Sequence, residues 1–150
     1  MKQANRILYS LCISALCSTS HIFCSKVTAE ISYGELIDKI TILRIKSQKI
    51  NNEEKLKNVR TELESLQETC AQYIDNCIAL RDLEEELQQV NLALWNVEDA
   101  IRIKERDQEF DDEFIELARQ VYTINDKRCT LKKKIDVLLG SHLTEEKSYK

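Results

Sequence analysis

The stretch ISYGELIDKITILRIKSQKI, from Ile31 to Ile50, decides the fold. It opens with a helix-start signature. Ser32 is placed as N-cap, and Glu35, three residues on, completes a capping box. Ile31 and Leu36 occupy the two positions of a hydrophobic staple. Beyond the cap, Leu36, Ile40, Leu43 and Ile50 share one helical face, with Ile37 beside them. Ile42 and Ile45 fall on the opposite side. A short helix that is apolar nearly all round is usually buried between other elements. The spacing therefore predicts a central helix at about 33–50, around which longer helices pack.

Working outward towards the C-terminus, Asn51-Asn52-Glu53-Glu54 reads as a break and a restart. Either asparagine can cap a second helix, with acids in its first turn where the macrodipole favours them. Leu56, Val59, Leu63, Leu66, Cys70, Tyr73 and Cys77 then alternate at three and four, the spacing of a coiled-coil seam. Leu80, Leu83, Leu87, Val90, Leu94, Val97 and Ile101 form a second seam, out of phase with the first. Two threes in succession mean either one overwound helix or a break near Asp75-Asn76. The turn-forming pair favours the break. Asp111 or Asp112 caps the last helix, whose seam is Phe114, Leu117, Val121, Ile124, Arg128, Leu131, Ile135 and Leu138. Lys132, Lys133 and Lys134 suit its C-terminal dipole, and Gly140 suits the residue just past its end.

The expected fold is thus all-α: an elongated four-helix bundle with helices at about 33–50, 52–74, 78–108 and 112–139. The last two must form a coiled-coil-like antiparallel hairpin, because their link is so short. Residues 26–140 make the helical domain, and the polar tail, 141–150, has no periodicity. Composition agrees. There is no proline, only two glycines, and 32% of residues are charged, the profile of a long-helix protein.

Residues 1–25 read differently. Lys2 and Arg6 precede an apolar run from Ile7 to Cys17, and then come Ser18, Thr19 and Ser20. This is the order of a secretory signal, with a cut after Ser20 placing small residues at both required positions. The run is too short for a transmembrane span. Losing it would lower the net charge of −4 by the two charges of Lys2 and Arg6. An acidic chain without a basic stripe is not expected to bind nucleic acid. Three cysteines remain downstream, Cys70, Cys77 and Cys129. Their odd count argues against a disulfide framework and favours small buried hydrophobes.

Two features hint at function. If a residue n on the third helix faces roughly 220 − n on the fourth, Trp95 lies beside Asn125, and Asn91 beside Arg128 and Cys129. Asn91, Trp95, Glu98, Arg102, Asn125, Asp126 and Arg128 then form one polar cluster around a tryptophan. Such a cluster is either a small-ligand or glycan pocket or a satisfied polar layer that fixes helix register; the second use is the commoner. Arg44 falls on the apolar face of the first helix and must find an acid or snorkel outward, with Glu98, Asp99 or Glu105 as candidate partners. No Gly-rich phosphate loop, no Cys/His metal spacing and no nucleophile-and-base motif is present, so no catalytic residue, metal or cofactor is expected.

Ser32 to Leu43 (SYGELIDKITIL), Val90 to Arg102 (VNLALWNVEDAIR), Phe110 to Arg128 and the closing EEKSY at 145–149 together resemble an uncharacterised family of small bacterial helical proteins, classed as a domain of unknown function. The resemblance covers about Val27 to Tyr149. It implies an all-α domain and an association with glycosyltransferases and tetratricopeptide-like proteins of surface-polysaccharide assembly. It assigns no catalytic residues. Two departures stand out. Family members usually begin near the capping box, and the position of Arg44 is more often acidic.

The sequence reading is therefore a non-catalytic helical interaction or scaffold protein, exported or periplasmic if the signal is cleaved and cytoplasmic otherwise, and accessory to cell-surface polysaccharide assembly. The alternative is a sugar or nucleotide-sugar binding or processing protein with its site around Trp95. The expected partner is another protein or a second copy of the chain, with no transmembrane span after the extension. Intact-mass measurement on natively expressed protein is expected to show a chain lacking about the first 20 residues. Recovery of the full-length chain from the cytosol would contradict this.

Overall fold

The computed structural model describes residues 27–75 and 77–148. The signal-like extension and its expected cleavage point lie outside the described residues. Four helices follow in order: α1 (Tyr33–Lys49), α2 (Glu53–Tyr73), α3 (Ile78–Asp107) and α4 (Asp112–Leu139). Among the described residues there is no strand. The second and third helices are separate, with the interruption where Asp75 stands.

α1 is the shared element. Its backbone lies against α2, α3 and α4, whereas α2 has backbone neighbours only in α1. Leu36, Ile37, Ile40, Leu43 and Ile45 are all buried, so both apolar sides of α1 are covered. Ile37 joins Leu80, Leu87, Leu131 and Ile135 in the main core cluster, with Cys70 and Ile74 packed on its edge. A fully buried aliphatic side chain contributes roughly 1.5–3 kcal/mol, which is why so short a helix can hold three longer ones.

Side-chain caps explain where three of the four helices begin; α3 starts after Cys77 without one. Ser32 Oγ accepts from Glu35 N at 3.2 Å, Asn52 Oδ1 from Lys55 N at 2.9 Å and Asp111 Oδ1 from Phe114 N at 3.0 Å. α4 ends in a Schellman motif. Gly140 is left-handed, its N–H donates to Val137 O at 3.3 Å, and Ser141 N–H donates to Asp136 O at 2.8 Å. α3 ends in the same motif without a glycine. Gln108 carries φ 58°, Gln108 N–H donates to Glu105 O and Glu109 N–H to Lys104 O.

Several sequence expectations are corrected. The staple is incomplete, because Ile31 stays 52% exposed while Leu36 is buried. The capping box is one-sided, since the Glu35 carboxylate turns away to Lys132. Tyr73 and Cys77 leave the first seam and are exposed, because α2 has only α1 to lie against and ends at Tyr73. At the end of α4, Leu138 is exposed and Leu139 packs on the core instead. Arg44 pairs with Glu84, not with Glu98, Asp99 or Glu105.

Beyond α1 the α3–α4 hairpin continues alone. With 1.5 Å per residue, α3 is about 45 Å long and α1 about 25 Å. No residue of α3 after Val97, and none of α4 before Leu131, is fully buried. This arm ends in a compact tip. Phe110 and Phe114 meet edge to face at 5.2 Å, and Lys104 Nζ holds Glu109 at 3.0 Å and Asp111 and Glu113 at 2.8 Å each.

The left-handed Gln108 costs roughly 1–2 kcal/mol relative to an ordinary helical conformation, and glycine carries no such cost. Gln108→Gly is expected to stabilise the fold by about 1 kcal/mol in a urea melt, net of glycine's larger chain entropy. A loss of stability would show that the side-chain bond from Gln108 Nε2 to Glu105 O outweighs the backbone strain.

Candidate functional site

α1 buries a second stripe of small and polar residues at four-three spacing, Gly34, Asp38 and Thr41. It meets a matching stripe on α4, Arg128, Lys132 and Asp136, at steps of four. Asn91 of α3 closes the third side. The result is a layer of polar side chains inside an otherwise apolar joint.

Asp38 is the centre. Its side chain is 3% exposed, yet it is paired with Arg128, whose Nε donates to Oδ1 at 2.8 Å and Nη2 to Oδ2 at 2.5 Å. A parallel two-bond pair of this kind suits the planar guanidinium. Asn91 Nδ2 donates to Asp38 Oδ1 at 2.9 Å and lies 2.9 Å from Thr41 Oγ1. Thr41 in turn donates to Asp38 O at 2.8 Å. A buried carboxylate is tolerable only when so fully paired.

One turn along α4, Lys132 is buried between Glu35 of α1 and Glu145 of the tail. Burial alone would lower the Lys132 pKa. Hydrogen bonds to Glu145 and Glu35 outweigh it and hold the ammonium above its ordinary range. The same contact with Lys132 lowers the Glu145 carboxyl. Lys132 is therefore not a solvated cation at a helix end, as its place in the Lys132–Lys134 run suggests. The tail has no helix or strand, but it is pinned along α4. Lys133 donates to Glu146 at 2.9 Å, and Lys147 Nζ to Asn125 O at 3.5 Å.

The third rung is at the start of α1. The first three N–H groups of this helix find three different side chains. Tyr33 N donates to Ser141 Oγ at 3.3 Å, Gly34 N to Asp136 Oδ1 at 2.6 Å and Glu35 N to Ser32 Oγ. Two of these acceptors come from the end of α4, which so caps α1 from outside. Asp136 is buried, and its Oδ2 has no protein partner. Its carboxyl group faces the positive end of the α1 dipole. Gly34 permits the approach, because a Cβ there would lie 2.5 Å from Lys132 O and 3.0 Å from Asp136 Oδ1.

Of the residues singled out by sequence, Asn91 and Arg128 do meet, through Asp38. Trp95, Glu98 and Arg102 share with them a cleft of about 280 Å³, completed by Ile42, Lys46, Leu94 and Asp99. Trp95 is half-buried, and Glu98 pairs with Arg102 at 2.8 Å within α3. Asn125 does not line this cleft. Its Oδ1 accepts a long bond from Arg128 Nη1 at 3.4 Å, and its Nδ2 donates to Val121 O. Asp126 is exposed and faces a separate groove on α4. Sequence reasoning missed Gly34, Asp38, Thr41, Lys132, Asp136 and Glu145. The first three carried a signal, a small-polar stripe at helical spacing along the central helix. Among the described residues no group of three His, Cys, Asp or Glu side chains is placed to hold a metal. The three downstream cysteines are free thiols, and burial, with Glu84 adding to it, pushes Cys70 up.

A family model described as a family of unknown function, DUF6165, matches residues 27–150. The chain belongs to this family. No curated protein and no solved structure matches it. The DUF6165 match covers every helix, the polar layer and the tail segment that pins Lys132.

Removing one member of a buried pair strands the other. In this DUF6165 chain the two members are not equally stranded, since Asp38 is 3% and Arg128 26% exposed. Arg128→Ala is expected to cost about 3–5 kcal/mol. Asp38→Ala should cost less, about 1–3 kcal/mol, because the guanidinium can turn into the Trp95 cleft. Equal losses in denaturant melts would show that the pair is effectively dry on both sides.

The Glu145–Lys132 contact also sets a pH dependence. Glu145 has a folded pKa below its ordinary 4.5, so its contribution is present above that value and lost as pH falls through the folded pKa. Lys132 is raised, so its contribution is present below 10.5 and lost as pH rises through the folded value. Hydrogen exchange of tail amides is expected to accelerate below about pH 4.5 and to lose that step in Glu145→Gln. An unchanged acid step in the variant would assign it to another carboxylate.

Proposed function

We propose that the chain is a non-catalytic helical interaction module, exported and accessory to bacterial cell-surface polysaccharide assembly. The observation that carries the module reading is the contrast between the two ends of the molecule. At the α1–α4 joint the buried charges are engaged within the chain: Asp38 by Arg128 and Asn91, Lys132 by Glu35 and Glu145. Such groups fix register rather than perform chemistry; Asp136 Oδ2 alone lacks a partner there, and among the described residues no nucleophile-and-base pair accompanies it. The arm, in contrast, projects beyond α1 and exposes Ile103, Phe110, Ile115 and Tyr122. Exposed apolar side chains gathered on one hairpin, from α3, the link and α4, mark an interaction surface. Export rests on the charge and apolar order of the extension, and the polysaccharide role on the family resemblance. No described helix is long and apolar enough to cross a membrane.

The Trp95 cleft favours a second reading, sugar or nucleotide-sugar binding. It has an aromatic body, an apolar floor of Ile42 and Leu94, and polar groups on its rim. Its volume lies just below the roughly 300–1,000 Å³ usual for ligand sites, which favours one sugar ring over a whole nucleotide-sugar.

One pair of experiments separates the readings. Capture from native cells should recover a partner that the double variant Ile103→Asp, Phe110→Asp loses at an unchanged melting temperature. Retention of that partner would move the interface off the arm. Trp95 is the one tryptophan of the chain, so its fluorescence reports the cleft directly. No saturable change is expected with methyl glucoside or UDP-glucose, and such a change at unaltered stability would promote the second reading.

A further inference from the structure

The outer side of α4, opposite its Val121–Ile124 seam, carries an unusual order of side chains. Ile115, Tyr122 and Cys129 follow one another at intervals of seven and so lie along one line of the helix. Ile115 is 46% and Tyr122 60% exposed, and Cys129 is half-buried in the floor of the groove on this side. Beside that line runs a second one at the same interval: Asp112, Arg119, Asp126 and Lys133, all exposed. Their charges alternate, negative, positive, negative, positive.

That order is self-complementary when reversed. We propose that a second copy of this chain docks here, its α4 antiparallel to the first about a two-fold axis at Tyr122. In that register Tyr122 meets Tyr122 of the other copy, and Ile115 meets Cys129. On the flank, Asp112 faces Lys133, and Arg119 faces Asp126. The two-fold repeats both contacts, so four opposite-charge pairs frame an apolar line. A symmetric interface of this type uses the same patch on both copies. The helix ends agree with the arrangement. Asp112, Glu113 and Glu116 make the start of α4 acidic, and Lys132, Lys133 and Lys134 make its last third basic. Antiparallel docking sets each acidic end over a basic one and opposes the two helix dipoles.

The groove supplies room for the incoming helix. It is about 940 Å³ in volume, and Cys129, Thr130, Val137 and Lys134 line it, with Leu83 of α3 on one side and the pinned tail at Glu145–Lys147 on the other. Val137 there is 75% exposed. The flanking charges are lightly committed within the chain. Asp112 and Asp126 have no salt bridge among the described residues, Arg119 reaches Glu116 only at 4.0 Å, and Lys133 stays half-exposed while it holds Glu146. Ala118, beside the line, offers little bulk against close approach. The proposal deepens the interaction-module reading by naming one partner, and it leaves the arm tip free for another.

Sedimentation equilibrium of the full chain, over concentrations from about 1 to 500 μM, tests the proposal. A monomer–dimer equilibrium is expected that weakens as salt rises, since its flanking pairs are exposed. Arg119→Glu and Asp126→Arg each place like charges opposite one another. Each alone should raise the dissociation constant at least tenfold, with an unchanged thermal melt. Mixing the two variants restores opposite charges across the axis, and the mixture should dimerise as the parent does. Tyr122→Glu should be monomeric alone and in mixtures. A parent chain that stays monomeric throughout overturns the proposal. So does a dimer that both charge variants leave intact, or a mixture that fails to re-form it. If the parent is monomeric but the arm still captures its partner, the second copy is excluded and the module reading stands.

Discussion

The fold depends on the buried pair of Asp38 with Arg128 inside the α1–α4 joint. Taking a carboxylate out of water costs several kcal/mol even after relaxation, and this one is offset by two bonds from Arg128 and one from Asn91. The three donors and acceptors come from three helices. α1, α3 and α4 can therefore adopt only the register that brings them together, because any slip leaves a charge buried and bare. Apolar seams tolerate repacking by a turn, as one leucine substitutes for another. A carboxylate between two fixed donors does not.

Around this pair the joint is built from complementary ends. The start of α1 needs acceptors for its first N–H groups, and the end of α4 supplies Asp136 and Ser141 for two of them. Gly34 makes the contact sterically possible. Lys132 then ties the same two helices to the tail. The joint is thus rigid in proportion to its polar bonds, while α2 and the distal arm are held mainly by apolar contact along one side. A molecule with one fixed centre and two lightly supported extensions is suited to presenting surfaces, and the outer line of α4 and the arm tip are the surfaces it presents.

Much of this was legible in the chain. The caps Ser32, Asn52 and Asp111, the break near Asp75, the glycine past α4 and the central place of α1 all follow from local rules: an oxygen three residues before an N–H, an apolar step of three or four, a left-handed turn that suits glycine. Those rules act within a turn or two of helix, so a single sequence displays them. The antiparallel hairpin follows as well, because a four-residue link admits nothing else.

What only the tertiary structure decided is the partnering of charges. Asp38 and Arg128 are 90 residues apart, and Glu35 and Lys132 are 97 apart. Local spacing sets Lys132 four residues after Arg128 of the seam, but it does not show the two acids, Glu35 and Glu145, that allow it to be buried while Lys133 and Lys134 are not. Arg44 looked equally able to reach several acids, and the angle at which α3 crosses α1 gave it Glu84. The fates of Leu138, Tyr73 and Ile31 were settled in the same way, by which neighbour stood opposite them. Periodicity states which side of a helix is apolar. Which of those sides is covered depends on how the helices cross, and that is set by long-range packing together with the few buried charges that fix its register.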